Sequence, residues 1–169
     1  LGDKYTRRFA AESLGQIGPA AKAAAAALRS AMATEDASLR VAAALALWRV
    51  TEDASAVDVL GKLLATDDVN AAHEAAIAFT HLRSAGRPAI AALVSAVNSG
   101  TEDVRRSAAR ALGQMGPEAI PALTEALAAE DVSVRRTAAQ GFDWLGKAVS
   151  DKVLNNTETS LDTFKKIYS

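Results

Sequence analysis

The residues whose types most invite chemistry sit together on one alanine-rich stretch, AAHEAAIAFTHL, at residues 71–82. It carries both histidines of the chain, His73 and His81, with Glu74 directly after the first. Imidazole and carboxylate are ligands for iron and other divalent first-row metals. Two histidines on one helix share an ion when they stand four residues apart, because both donors must come within about 2 Å of it. His73 and His81 are eight residues apart, which on a helix is about 12 Å of rise with roughly 80° between the side chains. They cannot close on one ion, and no metal is expected. Zero cysteines exclude a thiolate metal site, a cysteine nucleophile and a disulfide framework. The glycine-bearing segments LGQIG and LGQMG, at 14–18 and 112–116, read as helix ends followed by proline, not as phosphate loops. No nucleophile–base spacing is evident, so no catalytic or cofactor-binding residue is expected.

What positions these side chains is a repeat. RRFAAESLGQIGPAA (7–21) and RRSAARALGQMGPEA (105–119) align in register. The alanine pairs Ala10-Ala11, Ala43-Ala44, Ala75-Ala76, Ala108-Ala109 and Ala138-Ala139 recur at steps of 33, 32, 33 and 30 residues. In each copy the alanine pair lies on a marked helix, predicted at about 4–17, 37–50, 68–82, 102–115 and 132–145. Val104, Ala108, Leu112 and Met115 illustrate its apolar stripe at the helical period. Acidic residues at 35–36, 67–68, 102–103 and 130–131 stand where helix starts need caps. Second helices are predicted at about 19–32, 54–65, 88–98 and 117–128, with prolines near three of their starts. Neither helix of a copy can bury its stripe alone, so about five antiparallel helix pairs must stack. The fold class is all-α, an α-solenoid, with the array over 1–149. Residues 150–169 lack the arginine–alanine signature and read as a divergent cap or a frayed tail.

Bulk charge narrows the partners. Nineteen Lys and Arg against twenty Asp and Glu give a net charge of −1, without the basic field that nucleic acid requires. No apolar run approaches the roughly 18 residues of a membrane span, so no membrane insertion is expected. Without a signal peptide in view, a cytoplasmic location is expected. The chain opens at Leu1, as a piece of a longer protein would.

The pattern DxxVRxxAAxxLGxxG followed by PxAxxxLxxAL, over about residues 4–146, resembles HEAT repeats, in particular the short repeats of bilin-lyase-like proteins. The resemblance implies a right-handed superhelix whose marked helices line a concave inner surface. It also implies service as a binding scaffold, or alternatively a lyase-like subunit handling a tetrapyrrole or its apoprotein. HEAA within such a helix resembles the deoxyhypusine hydroxylase family, in which His-Glu dyads on several repeats surround a di-iron centre. Here the positions matching His73-Glu74 are Arg8-Phe9, Val41-Ala42, Arg106-Ser107 and Arg136-Thr137, and none is a dyad.

A helical wheel at about 100° per residue separates two arginine columns. Arg7, Arg40, Arg105 and Arg135 lie at the edge of the buried stripe, where they can form a ladder to acidic residues at neighbouring helix starts. The second column points outward and defines the expected partner face. It comprises Arg8, Val41, His73, Arg106 and Arg136, then Glu12, Leu45, Ile77, Arg110 and Gln140 one turn on, then Gln16, Arg49, His81, Gln114 and Trp144. Trp48 stands where other copies carry Gly15 and Gly113. It either projects from this face as a binding anchor or packs against the adjacent repeat. The expectation is a non-catalytic scaffold that binds another protein or peptide on its concave face.

Overall fold

A computed structural model describes residues 3–148. The expectation of a cap or frayed tail at 150–169 lies outside the described residues. Among them there is no strand, and the chain runs as alternating marked and second helices. The marked helices are α1 (Lys4–Ile17), α3 (Ala37–Thr51), α5 (Val69–Leu82), α7 (Glu102–Met115) and α9 (132–148). Between them lie α2 (Ala25–Met32), α4 (Ser55–Leu63), α6 (Ile90–Ser99) and α8 (Ile120–Leu127). α2, α4 and α6 each pack on the marked helix that follows, and the marked helices pack on one another, α1 on α3, α3 on α5 and α5 on α7, as in an α-solenoid.

Helix starts follow the acidic residues. Asp36 accepts from the Leu39 amide, Asp68 from the Asn70 and Ala71 amides, and Asp131 from the Ser133 amide. At α7 the N-cap is Thr101, and Glu102 and Asp103 instead occupy the first turn, where they oppose the positive helix end. The second helices differ from the prediction at their starts. Three begin as 3-10 turns, Gly18–Ala24, Arg83–Ala89 and Pro117–Ala119, before the α-helix sets in. Proline lacks the amide hydrogen of a regular turn, and tight 3-10 turns are common at such ends.

The alanine pairs explain the stacking. Both members are buried at 43–44, 75–76 and 108–109, at 0% exposure, because a marked helix lies on each side. At the outer faces of the described array one member is open, Ala10 at one end and Ala139 at the other. Of the expected arginine ladder one rung is present, with Arg105 Nη1 3.6 Å from Asp131 Oδ2, ahead of α9; Arg7 and Arg40 have no ion pair among the described residues. Arg135 Nη1 donates to the carbonyls of Ala129 and Glu130 at 2.8 and 2.6 Å.

Glycine marks the tightest helix crossings. A Cβ on Gly15 would lie 3.0 Å from Ala46 Cα, and one on Gly113 would lie 2.7 Å from Trp144 Cβ while striking the Gly141 carbonyl. Gly113→Ala is therefore expected to destabilise the fold by about 1–3 kcal/mol despite alanine's better helix propensity. Urea unfolding measures it.

Candidate partner-binding groove

Helices α1, α3 and α5 stand side by side, and a groove of about 460 Å³ crosses them. Arg8, Glu12 and Gln16 of α1 form one wall, and Glu74, Ile77 and His81 of α5 the other. Along α3 the floor is Val41, Leu45 and Ala46, with Arg49 at its far end. Helical spacing sets this arrangement: 8, 12 and 16, 41, 45 and 49, and 74, 77 and 81 each follow one side of a helix.

The two ends differ electrostatically. At the first, Arg8 Nε donates to Glu12 Oε1 at 2.8 Å and its Nη1 meets Glu74 Oε1 at 3.0 Å. The hydrogen bond that Arg8 donates to Glu12 and the charge of Glu74 hold the guanidinium pKa above its ordinary value. An ion pair reaching from α1 to α5 must pass over α3, so the face cannot bulge outward there. At the other end His81 has its pKa lowered, first by burial and then by the charges of Arg49, Arg110 and Arg83. Between the ends lies an apolar strip in which Ile77 is 41% exposed and Leu45 is half-buried.

Of the residues expected on the partner face, Arg8, Val41, Leu45, Ile77 and His81 meet in this groove. Val41 does so differently from the wheel's prediction: it is 6% exposed, a buried part of the floor. It shares its register with Arg8, whose pairing with Glu74 crosses α3. Trp48 does not line the groove and is half-buried against the core. Gly15 and Gly113 mark a crossing with the next marked helix, so that register faces a neighbour and not open solvent. Where tryptophan replaces glycine, α3 and α5 pack less extensively than α1 with α3 or α5 with α7.

The remaining expected residues lie elsewhere. His73 is half-buried outside the groove. Arg106 is paired on its own helix with Glu102 and Asp103. Arg110 stacks on the Trp144 ring at 4.5 Å, and Lys147 lies 4.9 Å from the same ring. Arg136 is exposed. The groove is also lined by Glu12, Gln16, Arg49 and Glu74. The first three belong to the same outward rows as the expected residues, which is the signal that finds them. Glu74 has no such signal, because its partner is two repeats away. The Arg8–Glu74 pair is half-exposed, and a double-mutant cycle on Arg8→Ala and Glu74→Ala is expected to give a coupling of about 0.2–1 kcal/mol.

Among the described residues no group of three His, Asp or Glu side chains could hold a metal ion. Glu74 is engaged by Arg8 instead. No described helix is long and apolar enough to cross a membrane.

Comparison with known proteins agrees with this architecture. The chain is similar in structure to human deoxyhypusine hydroxylase solved in complex with glycerol, at 23% identity and a TM-score of 0.58. That match covers 73% of this chain and 43% of the hydroxylase, so the chain spans less than half of its length. It is also similar to an engineered protein solved by the Northeast Structural Genomics Consortium, at 25% identity and a TM-score of 0.56, covering 95% of this chain and 86% of that one. No curated protein matches the chain in sequence. The family model for HEAT repeats matches twice, over residues 2–80 and 68–143. With these two matches and its stacked helices and buried alanine columns, the chain belongs to the HEAT-repeat family.

Proposed function

We propose that this chain is a non-catalytic interaction module that holds a protein or peptide partner in the groove across α1, α3 and α5. One observation carries the reading: an apolar strip, Leu45 and Ile77, lies open in the middle of a concavity whose two ends are polar. Binding sites combine concavity, apolar lining and a few placed polar groups in this way. A volume of about 460 Å³ takes a few side chains of a loop or extended segment, not a folded domain. Repeat scaffolds present such surfaces because each copy adds one helix to the same face.

The likeness to the hydroxylase is a likeness of fold. A dyad-based metal site would need His-Glu pairs from several copies, and the aligned positions supply arginine or valine instead.

The test is affinity capture from an extract of the source cells with the wild-type chain, an Ile77→Asp variant and an Ile120→Asp control. Both isoleucines are 41% exposed, but Ile120 starts α8, one of the second helices. A partner lost only with Ile77→Asp supports the groove, whereas a partner that survives Ile77→Asp and is lost with Ile120→Asp overturns it.

A further inference from the structure

Five of the twelve arginines have a carboxylate partner among the described residues. Arg8 has Glu12 and Glu74, Arg29 has Asp53, Arg87 has Glu118, Arg105 has Asp131, and Arg106 has Glu102. At the far end of the groove the arginines stand without one. Arg49 lines it beside His81, Arg83 follows two residues on, and Arg110 comes from α7, yet none of the three has an ion pair among the described residues. Arg110 is instead held against the Trp144 face, which leaves its charge uncompensated. The charges acting on His81 come from these arginines alone: Arg49 on α3, Arg110 on α7, and Arg83 just beyond its own helix.

Arg83 adds an independent observation. It caps α5 at φ 50°, in the left-handed region that disfavours side chains. In register with it, the ends of α1 and α7 carry Gly18 and Gly116, at φ 68° and 99°. Glycine is the residue this backbone favours. The second and third copies instead end their marked helices on Glu52, at φ 55°, and Arg83, and strain of this kind concentrates where a side chain is used.

We propose that Arg49, Arg83 and Arg110, gathered around His81, form a carboxylate-binding site that makes the groove's partner an acidic peptide segment. An apolar side chain of that segment lies on Leu45 and Ile77, and its Asp or Glu residues reach the arginines. The guanidinium fork suits carboxylates in particular. The site rests on the groove reading above. A competing role is structural: cations near a helix C-terminus offset its negative end. The two roles separate at Arg83. A cation that only supports the helix end gives no binding effect when replaced, and glycine relieves the backbone.

The pH dependence has a definite sign. Free His81 is held below its ordinary value by burial and by the three arginines. A bound carboxylate opposes those charges and raises it, so binding takes up protons and tightens as pH falls from about 8 to about 6. It weakens again near about pH 4, where the peptide's own carboxylates protonate.

The experiment is selection of a phage-displayed random peptide library on the whole chain. Affinities of the enriched peptides are then measured on variants whose helical circular dichroism is intact. Enriched peptides should be rich in Asp and Glu around a large apolar residue, and bind about tenfold or more weakly to Arg49→Gln/Arg110→Gln. Arg83→Gly should also weaken them while leaving the melting temperature equal or higher, and His81→Gln should remove the tightening on acidification. Peptides with no acidic bias, lost with Ile77→Asp but indifferent to the arginine variants, overturn the carboxylate site and leave the groove standing. Peptides that survive Ile77→Asp overturn the groove itself. A phosphorylated peptide binding far more tightly than its glutamate counterpart overturns carboxylate as the preferred group, and an absence of groove-dependent peptides overturns both proposals.

Discussion

Phe79→Ala is expected to lower the stability of the fold by about 3–5 kcal/mol, the largest effect of any single truncation proposed for this chain. Phe79 is fully buried and heads the described side chains that are sealed from solvent, ranked by volume. In the other copies its register is held by Leu14, Leu47, Leu112 and Phe142. A Cβ placed on Gly86 would come within 2.9 Å of the Phe79 ring and 2.6 Å of Met115 Cε. The ring therefore fills the space between α5, the 3-10 turn before α6, and α7. Removing it leaves a cavity walled by three elements that cannot all collapse inward. In a stacked array each copy is stabilised mainly by its neighbours, so a hole in the middle copy weakens the interfaces on both sides. Urea unfolding should show a lowered midpoint. A reduced slope would mean that the two halves have begun to unfold separately.

The second large effect falls on binding. Ile77→Asp is expected to reduce affinity for a groove-bound peptide at least tenfold, about 1.4 kcal/mol or more, while changing stability by only about 0.5 kcal/mol. Ile77 is already 41% exposed, so aspartate adds little desolvation cost in the free protein. On binding, the same aspartate must either be buried unpaired against an apolar side chain or hold that side chain off. It also introduces a negative charge near the end where an acidic ligand would dock. Ile120→Asp, with the same exposure on α8, should leave affinity unchanged. Isothermal titration on both variants separates a local effect from a general one.

The repeat was legible because its physics is periodic. Alanine pairs at a near-constant step predicted the marked helices closely: 37–50 was expected and Ala37–Thr51 is found, and 102–115 was expected and Glu102–Met115 is found. The Arg105 rung was legible because its partner, Asp131, starts the next marked helix, one repeat along. The groove was legible in part. The outward rows contain Arg8, Leu45, Ile77 and His81, and a single-helix wheel finds them. The same wheel fails at Val41, whose burial depends on neighbouring helices and not on its own face. It also leaves Trp48 open between two outcomes, because only the Gly15 and Gly113 contacts reveal that this register faces the next helix. In sequence Glu74 reads as half of a ligand pair. Its contact with Arg8 spans two repeats, and no local spacing encodes it. The His-Glu pair thus divides between two environments, with Glu74 in the groove wall and His73 outside it.

The most direct test of the groove as the partner site is methyl NMR of the chain titrated with a peptide selected on the wild-type protein. Isoleucine, leucine and valine methyls sample both helix sets, at Leu45 and Ile77 on one side and Ile120 and Leu127 on the other. The expected result is saturable shifts at Leu45 and Ile77, with Ile120 and Leu127 unmoved. Saturable shifts at Ile120 and Leu127, with Leu45 and Ile77 unmoved, would contradict it.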